Sequence, residues 1–162
     1  MKEIMVTILI FAGLNVNAQN VGIKDLLKIR TLTETELQHY KVFGDIEPTQ
    51  RTISTRDTLY GSFKQEYRFF LGGNNIGVNY ANGAVNYNLY VGTKVDYNIY
   101  TREARNYFMK SLRDAGFVKA KTFVFHAKLI TFYSMDGCVV VETRTGKHYN
   151  MEIYCTAFIC NN

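Results

Sequence analysis

The sequence predicts an α+β fold: two tandem α-β-β-β units forming one antiparallel sheet, with the helices packed on one face. Three observations point there. Two regions carry apolar residues at helical spacing, most of the remaining chain consists of Val-, Ile-, Tyr- and Phe-rich runs separated by glycine-containing turns, and the two halves share one order of elements. Composition agrees, since 12 Tyr and 11 Phe against a single proline, Pro48, suit pleated strands and leave little material for extended linkers.

The chain opens "MKEIMVTILIFAGLNVNAQN". Lys2 supplies a positive start, Ile4 to Leu14 a short apolar run, and Val16-Asn17-Ala18 a small-residue exit, the pattern of a secretory signal peptide over residues 1–18 cleaved after Ala18. The run is too short to span a bilayer, no cysteine stands at the cleavage point to take a lipid, and no later run suggests a transmembrane segment. The expectation is a periplasmic or secreted protein whose residues 19–162 form a single α+β domain, with internal units at about 20–100 and 101–162. The formal charge of +5 is spread along the chain, without the lysine–arginine block of a nucleic-acid arm, so nucleic acid is not an expected partner.

Within "GIKDLLKIRTLTETELQHYKVFGD", Ile23, Leu26 and Leu27 make a first short apolar face. Thr33 then opens a second helix: Thr33 and Glu36 have capping-box spacing, Leu32 and Leu37 form a hydrophobic staple, and Gly44 is the expected stop. A third helix, "TREARNYFMKSLRDAGF", is capped by Thr101, carries Ala104, Tyr107, Phe108, Ser111, Leu112 and Ala115 on one face, and ends at Gly116. Its other face bears Arg102, Arg105, Lys110 and Arg113, which read first as solvated surface and second as a site for an acidic partner.

Strands are expected at Tyr60 to Leu71, Ile76 to Ala81, Ala84 to Val91 and Val95 to Tyr100, then at Val118 to His126, Leu129 to Ser134, Cys138 to Arg144 and His148 to Ile159. The turns "GGNN", "ANG", "MDG" and "RTG" supply residues able to adopt positive φ in hairpins. Phe69 onward, "FFLGGNNIGVNYANGAVNYNLYV", aligns with Phe132 onward, "FYSMDGCVVVETRTGKHYNMEIY", so that Gly83 falls on Gly146. Few identities are involved; the shared order of elements carries the comparison, because each unit alone would leave one sheet face uncovered. The layout resembles the secreted inhibitor proteins built from two tandem helix-plus-sheet units, such as the β-lactamase inhibitor protein family. That resemblance implies the fold and an inhibitory role, and assigns no individual residues.

Motifs for chemistry are scarce. His39, His126 and His148 sit on separate elements without metal-ligand spacing, so no metal is expected. Neither a nucleophile elbow, a phosphate-binding loop nor a dinucleotide fingerprint is present, which calls for no cofactor and no catalytic residue. Cys138, Cys155 and Cys160 lie close together. A four-residue connection from Thr145 to His148 would set Cys138 opposite Cys155 for a cross-strand disulfide, whereas a tighter turn makes them diagonal; three reduced buried cysteines are the alternative.

Export, small size and tyrosine richness point to a non-catalytic protein-binding module, an inhibitor or immunity protein that neutralises a toxin or hydrolase in the bacterial cell envelope. A carbohydrate- or envelope-binding protein is the alternative, and an enzyme with a spatially assembled site is a third reading. Strand parity then selects a surface. Ile76, Val78 and Tyr80, with Val85, Tyr87, Leu89 and Val91, turn towards the helices, leaving Asn79, Asn86, Asn88 and Tyr90, continued by Asp96, Asn98 and Tyr100, as the candidate binding face.

Overall fold

A computed structural model describes residues 20–155 apart from 42, 45, 58–60 and 82–92. The expected signal peptide, the Ala84 to Val91 strand, Asn86, Asn88, Tyr90 and Cys160 lie outside the described residues.

Helix α1 (Ile23–Thr31) buries Ile23, Leu26 and Ile29. Its first backbone N–H donates to Ser111 Oγ at 2.9 Å, and a Cβ on Gly22 would sit 3.2 Å from that serine's own Cβ, so glycine lets the two chains approach. Helix α2 (Glu34–His39) starts as expected: the Glu36 N–H donates to the Thr33 hydroxyl and the Glu36 carboxylate accepts from the Thr33 N–H at 2.7 Å. It ends at Tyr40 rather than Gly44. Gly44 instead occupies a later turn at φ 70°, the conformation that made it look like a helix stop. Helix α3 (Arg102–Asp114) is capped by Thr101, buries Ala104, Phe108 and Leu112, and is followed by Gly116 at φ 91°.

Among the described residues eight strands form one open antiparallel sheet: β1 (Thr49–Asp57), β2 (Gly61–Leu71), β3 (Asn74–Ala81), β4 (Lys94–Ile99), β5 (Val118–Phe125), β6 (Lys128–Met135), β7 (Cys138–Thr145) and β8 (His148–Cys155). Their spatial order is β1-β2-β3-β4-β8-β7-β6-β5, so β4 and β8 meet at the centre. Strand β1 has no counterpart in the sequence reading; its "TQRTISTRD" offers one apolar residue, Ile53, and pairing with β2 defines it. Strand β3 differs in its neighbour. Between Asn75 and Asn79 it pairs with β2 on one side and β4 on the other.

Alternate residues of the central strands turn to the helices. Tyr67, Phe69 and Leu71 of β2, Ile76 and Val78 of β3, Val95, Tyr97 and Ile99 of β4, and Met151 and Ile153 of β8 share one core with the buried faces of all three helices. An edge-on ring pair ties the sheet to α3, Tyr97 with Phe108 at 5.6 Å between centroids, and a second, Tyr67 with Tyr80 at 5.9 Å, joins β2 to β3 within the sheet. The expected solvated stripe on α3 holds for Arg102, Lys110 and Arg113 but not for Arg105. Its Nε and Nη2 donate to buried Glu142 Oε1 at 2.9 and 2.7 Å, the Tyr133 hydroxyl donates to Glu142 Oε2 at 2.9 Å, and the guanidinium lies 4.5 Å from the Tyr149 ring centroid. A lone carboxylate under a helix would be costly, and Arg105 is the cation that answers it.

Thr145 pairs with His148, and the register that follows sets Cys138 opposite Cys155, which form a disulfide. The bridge closes a sequence separation of 17 residues, and its removal in a Cys138→Ala/Cys155→Ala variant is expected to cost about 3 kcal/mol, measured by urea unfolding against the oxidised protein. The buried tyrosines give a second, paired expectation. Tyr97 has its hydroxyl buried with no hydrogen-bond partner among the described residues, whereas the Tyr67 hydroxyl bonds Glu34 and accepts from Gln38 Nε2 at 2.8 Å. Tyr97→Phe should leave stability unchanged or raise it by about 1 kcal/mol, while Tyr67→Phe should lower it by about 1 kcal/mol, both read from unfolding midpoints.

Candidate functional site

On the sheet face opposite the helices, the residues between the core positions build a connected polar surface. The register aligns Glu66 with Asn79, Arg68 with Gly77, and Gly77 with Asp96 across β2, β3 and β4. Further along, Asn75 stands beside Asn98, which stands beside Asn150 of β8, and Asp96 stands beside Glu152.

Glu66 is the first node: it is buried, 4% exposed, and accepts from both Arg51 Nε and Arg68 Nη2. Arg68 passes the link on, donating through Nη1 to Asn75 Oδ1 and lying 3.9 Å from Asp96 Oδ2. Asn98 is the second node. Its Nδ2 donates to Asp96 Oδ2 at 2.7 Å and to Asn75 Oδ1 at 3.2 Å, while its Oδ1 accepts from Asn150 Nδ2 at 3.1 Å. His148 Nε2 lies 3.2 Å from the same Oδ1, so the ring carries its proton on Nε2 in this arrangement. The His148 ring stacks on exposed Tyr100, centroids 4.6 Å apart and planes 9° apart. At the adjoining margin Lys94 Nζ pairs with Glu152 Oε1 at 3.5 Å, and the Tyr154 hydroxyl donates to Glu152 Oε2.

Gly77 makes the centre of this surface possible. A Cβ there would lie 2.5 Å from Asp96 Oδ1 and 3.1 Å from Arg68 Nη2, so the two side chains pack directly over bare backbone. The charges of the face, Arg51, Arg68 and Lys94 against Glu66, Asp96 and Glu152, offset one another. Burial pushes the Asp96 carboxyl up to about 6; the positive charge of Arg68 pulls against that shift, and the negative charges of Glu152 and Glu66 reinforce it.

Of the residues picked out from sequence, Asp96 and Asn98 therefore sit inside the network and Tyr100 at its rim, while Asn79 is buried beside Glu66. Arg51, Glu66, Arg68, Gly77, His148, Asn150 and Glu152 were missed. For β8 the signal was present, since His148, Asn150 and Glu152 alternate with Tyr149, Met151 and Ile153. For β2 it was present too, since Glu66 and Arg68 alternate with Tyr67 and Phe69, but no local feature names the strands that would lie beside them. Among the described residues no group of three or more His, Cys, Asp or Glu side chains is placed to hold a metal ion.

Fold and face together define a class: an open antiparallel α+β sheet whose side opposite the described helices carries a hydrogen-bonded polar network with an aromatic rim. Comparison with protein-family models, with curated proteins and with solved structures gave no match. No helix among the described residues is long and apolar enough to cross a membrane.

The raised Asp96 pKa gives a signed expectation. The folded protein holds this proton to higher pH than the unfolded chain does, where an aspartate titrates near ~3.9, so the group favours folding at low pH and that contribution is lost as pH rises to about 6. The stability of the wild type relative to Asp96→Asn should therefore fall by about 2–3 kcal/mol between pH 4 and pH 7 in urea unfolding; a constant difference would refute the assignment.

Proposed function

We propose that the protein is an exported, non-catalytic binding module built from two tandem helix-plus-sheet units, and that it acts as an inhibitor or immunity protein toward a toxin or hydrolase of the bacterial cell envelope. One observation carries the reading: five adjacent strands hold Arg51, Glu66, Arg68, Asn75, Asp96, Asn98, Asn150 and His148 in one hydrogen-bonded lattice, with Tyr100 stacked at its edge. Side chains already fixed by their neighbours lose little freedom on contact with a partner, and an exposed aromatic beside ordered polar groups is the usual make-up of an interface anchor. The Cys138–Cys155 bridge fits an oxidising compartment. The two-unit reading is supported by the order of the sheet, where β1 to β4 run inward from one edge and β5 to β8 run inward from the other, with α3 between them in sequence.

Affinity capture from a cell-envelope extract tests this. One protein should be recovered in stoichiometric amount, and Tyr100→Ala/His148→Ala should weaken its binding by at least about tenfold without changing the thermal midpoint. Recovery of glycan alone, or binding to an oligosaccharide array that the same variant abolishes, would replace the reading with a carbohydrate-binding one.

A further inference from the structure

The sheet ends in two unlike edges. At one, β1 presents Thr49, Gln50, Arg51 and Thr52, and its side-chain charge at Arg51 is already engaged by Glu66. At the other, β5 pairs only with β6 among the described residues, and every one of its eight residues is exposed. Val118 is 68% exposed, Val124 70% and Phe125 57%, far more apolar surface than an edge strand ordinarily leaves in water.

The chemistry of this edge is one-sided. Residues 118–135, "VKAKTFVFHAKLITFYSM", contain Lys119, Lys121 and Lys128 and no aspartate or glutamate. Pairing with β6 puts Lys121 on the sheet face shared with Phe123, whose ring lies 5.7 Å from the lysine Nζ and stacks on Phe132 with centroids 5.8 Å apart. A register shift between Lys119 and Lys121 turns Lys119 to the opposite face, so each face of the strand carries one lysine beside exposed apolar residues.

We propose that the free edge of β5 is a docking site for an extended acidic polypeptide segment, which adds to the sheet as a ninth strand. Backbone N–H and C=O groups along an unpaired edge supply the ladder, and the side chains decide what can use it. A second copy of this chain is disfavoured, because the same segment of each copy carries lysines and no aspartate or glutamate, so pairing two β5 edges brings two cationic strands together. A strand with acidic residues on both faces meets a lysine on each and covers Val118, Val124 and Phe125 with its apolar positions. This site is separate from the polar face and does not rest on the function proposed for it.

The test uses the full chain and a fluorescein-labelled twelve-residue peptide of repeated Glu-Val-Thr, whose glutamates fall alternately on the two faces of a strand, with repeated Lys-Val-Thr as control. Fluorescence anisotropy should give saturable binding of the acidic peptide alone, weakened by salt. Lys119→Glu/Lys121→Glu should weaken it by about tenfold, with Lys119→Ala/Lys121→Ala intermediate and both variants retaining the wild-type thermal midpoint. Hydrogen exchange should show new amide protection confined to residues 118–125. Equal binding of the two peptides, no binding of either, or protection elsewhere overturns the proposal. Sedimentation with phosphatidylglycerol vesicles that depends on the two lysines, without peptide-induced protection of β5, also overturns it and assigns the edge to an anionic lipid surface.

Discussion

The pairing of β4 with β8 is the constraint on which the rest of the molecule depends. Val95, Asp96, Tyr97, Asn98 and Ile99 stand opposite Ile153, Glu152, Met151, Asn150 and Tyr149. Each of the two strands already has a neighbour on its other side, so this single antiparallel contact turns two sets of four strands into one sheet. Without it, two further edges would open at the centre, each with its backbone groups unpaired. The seam also separates the two chemistries of the sheet. Val95, Tyr97, Ile99, Met151 and Ile153 supply the helix-side core, and full burial of side chains of this size contributes about 1.5–3 kcal/mol each. Asp96, Asn98, Asn150 and Glu152, the residues in between, supply the centre of the polar face.

Several contacts clamp the seam from outside it. Helices α1 and α3 touch each other and both touch β4, and Ser111 of α3 receives the first N–H of α1. Arg30, buried on α1, donates through Nη2 to the Cys155 carbonyl at 3.1 Å, in the residue whose sulfur is bridged to β7. On the first half, Asn74 Oδ1 accepts from the Tyr100 N–H at 2.8 Å and so fixes the exit from β4 just before the Thr101 cap of α3. The helix layer, the disulfide and the strand ends thus report on one another through a few buried polar contacts, which is where a loss of one partner is most costly.

Much of this was legible because local signals and tertiary demands coincide. The capping box at Thr33 and Glu36, the Thr101 cap, and the turns at Gly72-Gly73, Asp136-Gly137 and Gly146 depend on a few consecutive residues, and the structure realises all of them. The Cys138–Cys155 pairing followed from one assumption about a turn. What escaped was non-local. Strand β1 has too few apolar residues to announce itself and is defined by its partner; the β5–β6 turn uses His126 and Ala127 at positive φ, where no glycine marks it. The polar face was half visible for the same reason. Alternation identified Asp96, Asn98 and Tyr100, but nothing in the order of residues says that β4 lies beside β8 and so brings His148, Asn150 and Glu152 to them.

Native-state hydrogen exchange at the seam tests the central claim most directly. If β4 and β8 unite the sheet, the hydrogen-bonded amides of Val95–Ile99 and Tyr149–Ile153 should exchange only through global unfolding, with an exchange free energy equal to the unfolding free energy from urea. Exchange of the seam amides at a clearly lower free energy, with β1 to β3 and β5 to β7 each still protected, would contradict it, because the two halves would then stand without the contact said to join them.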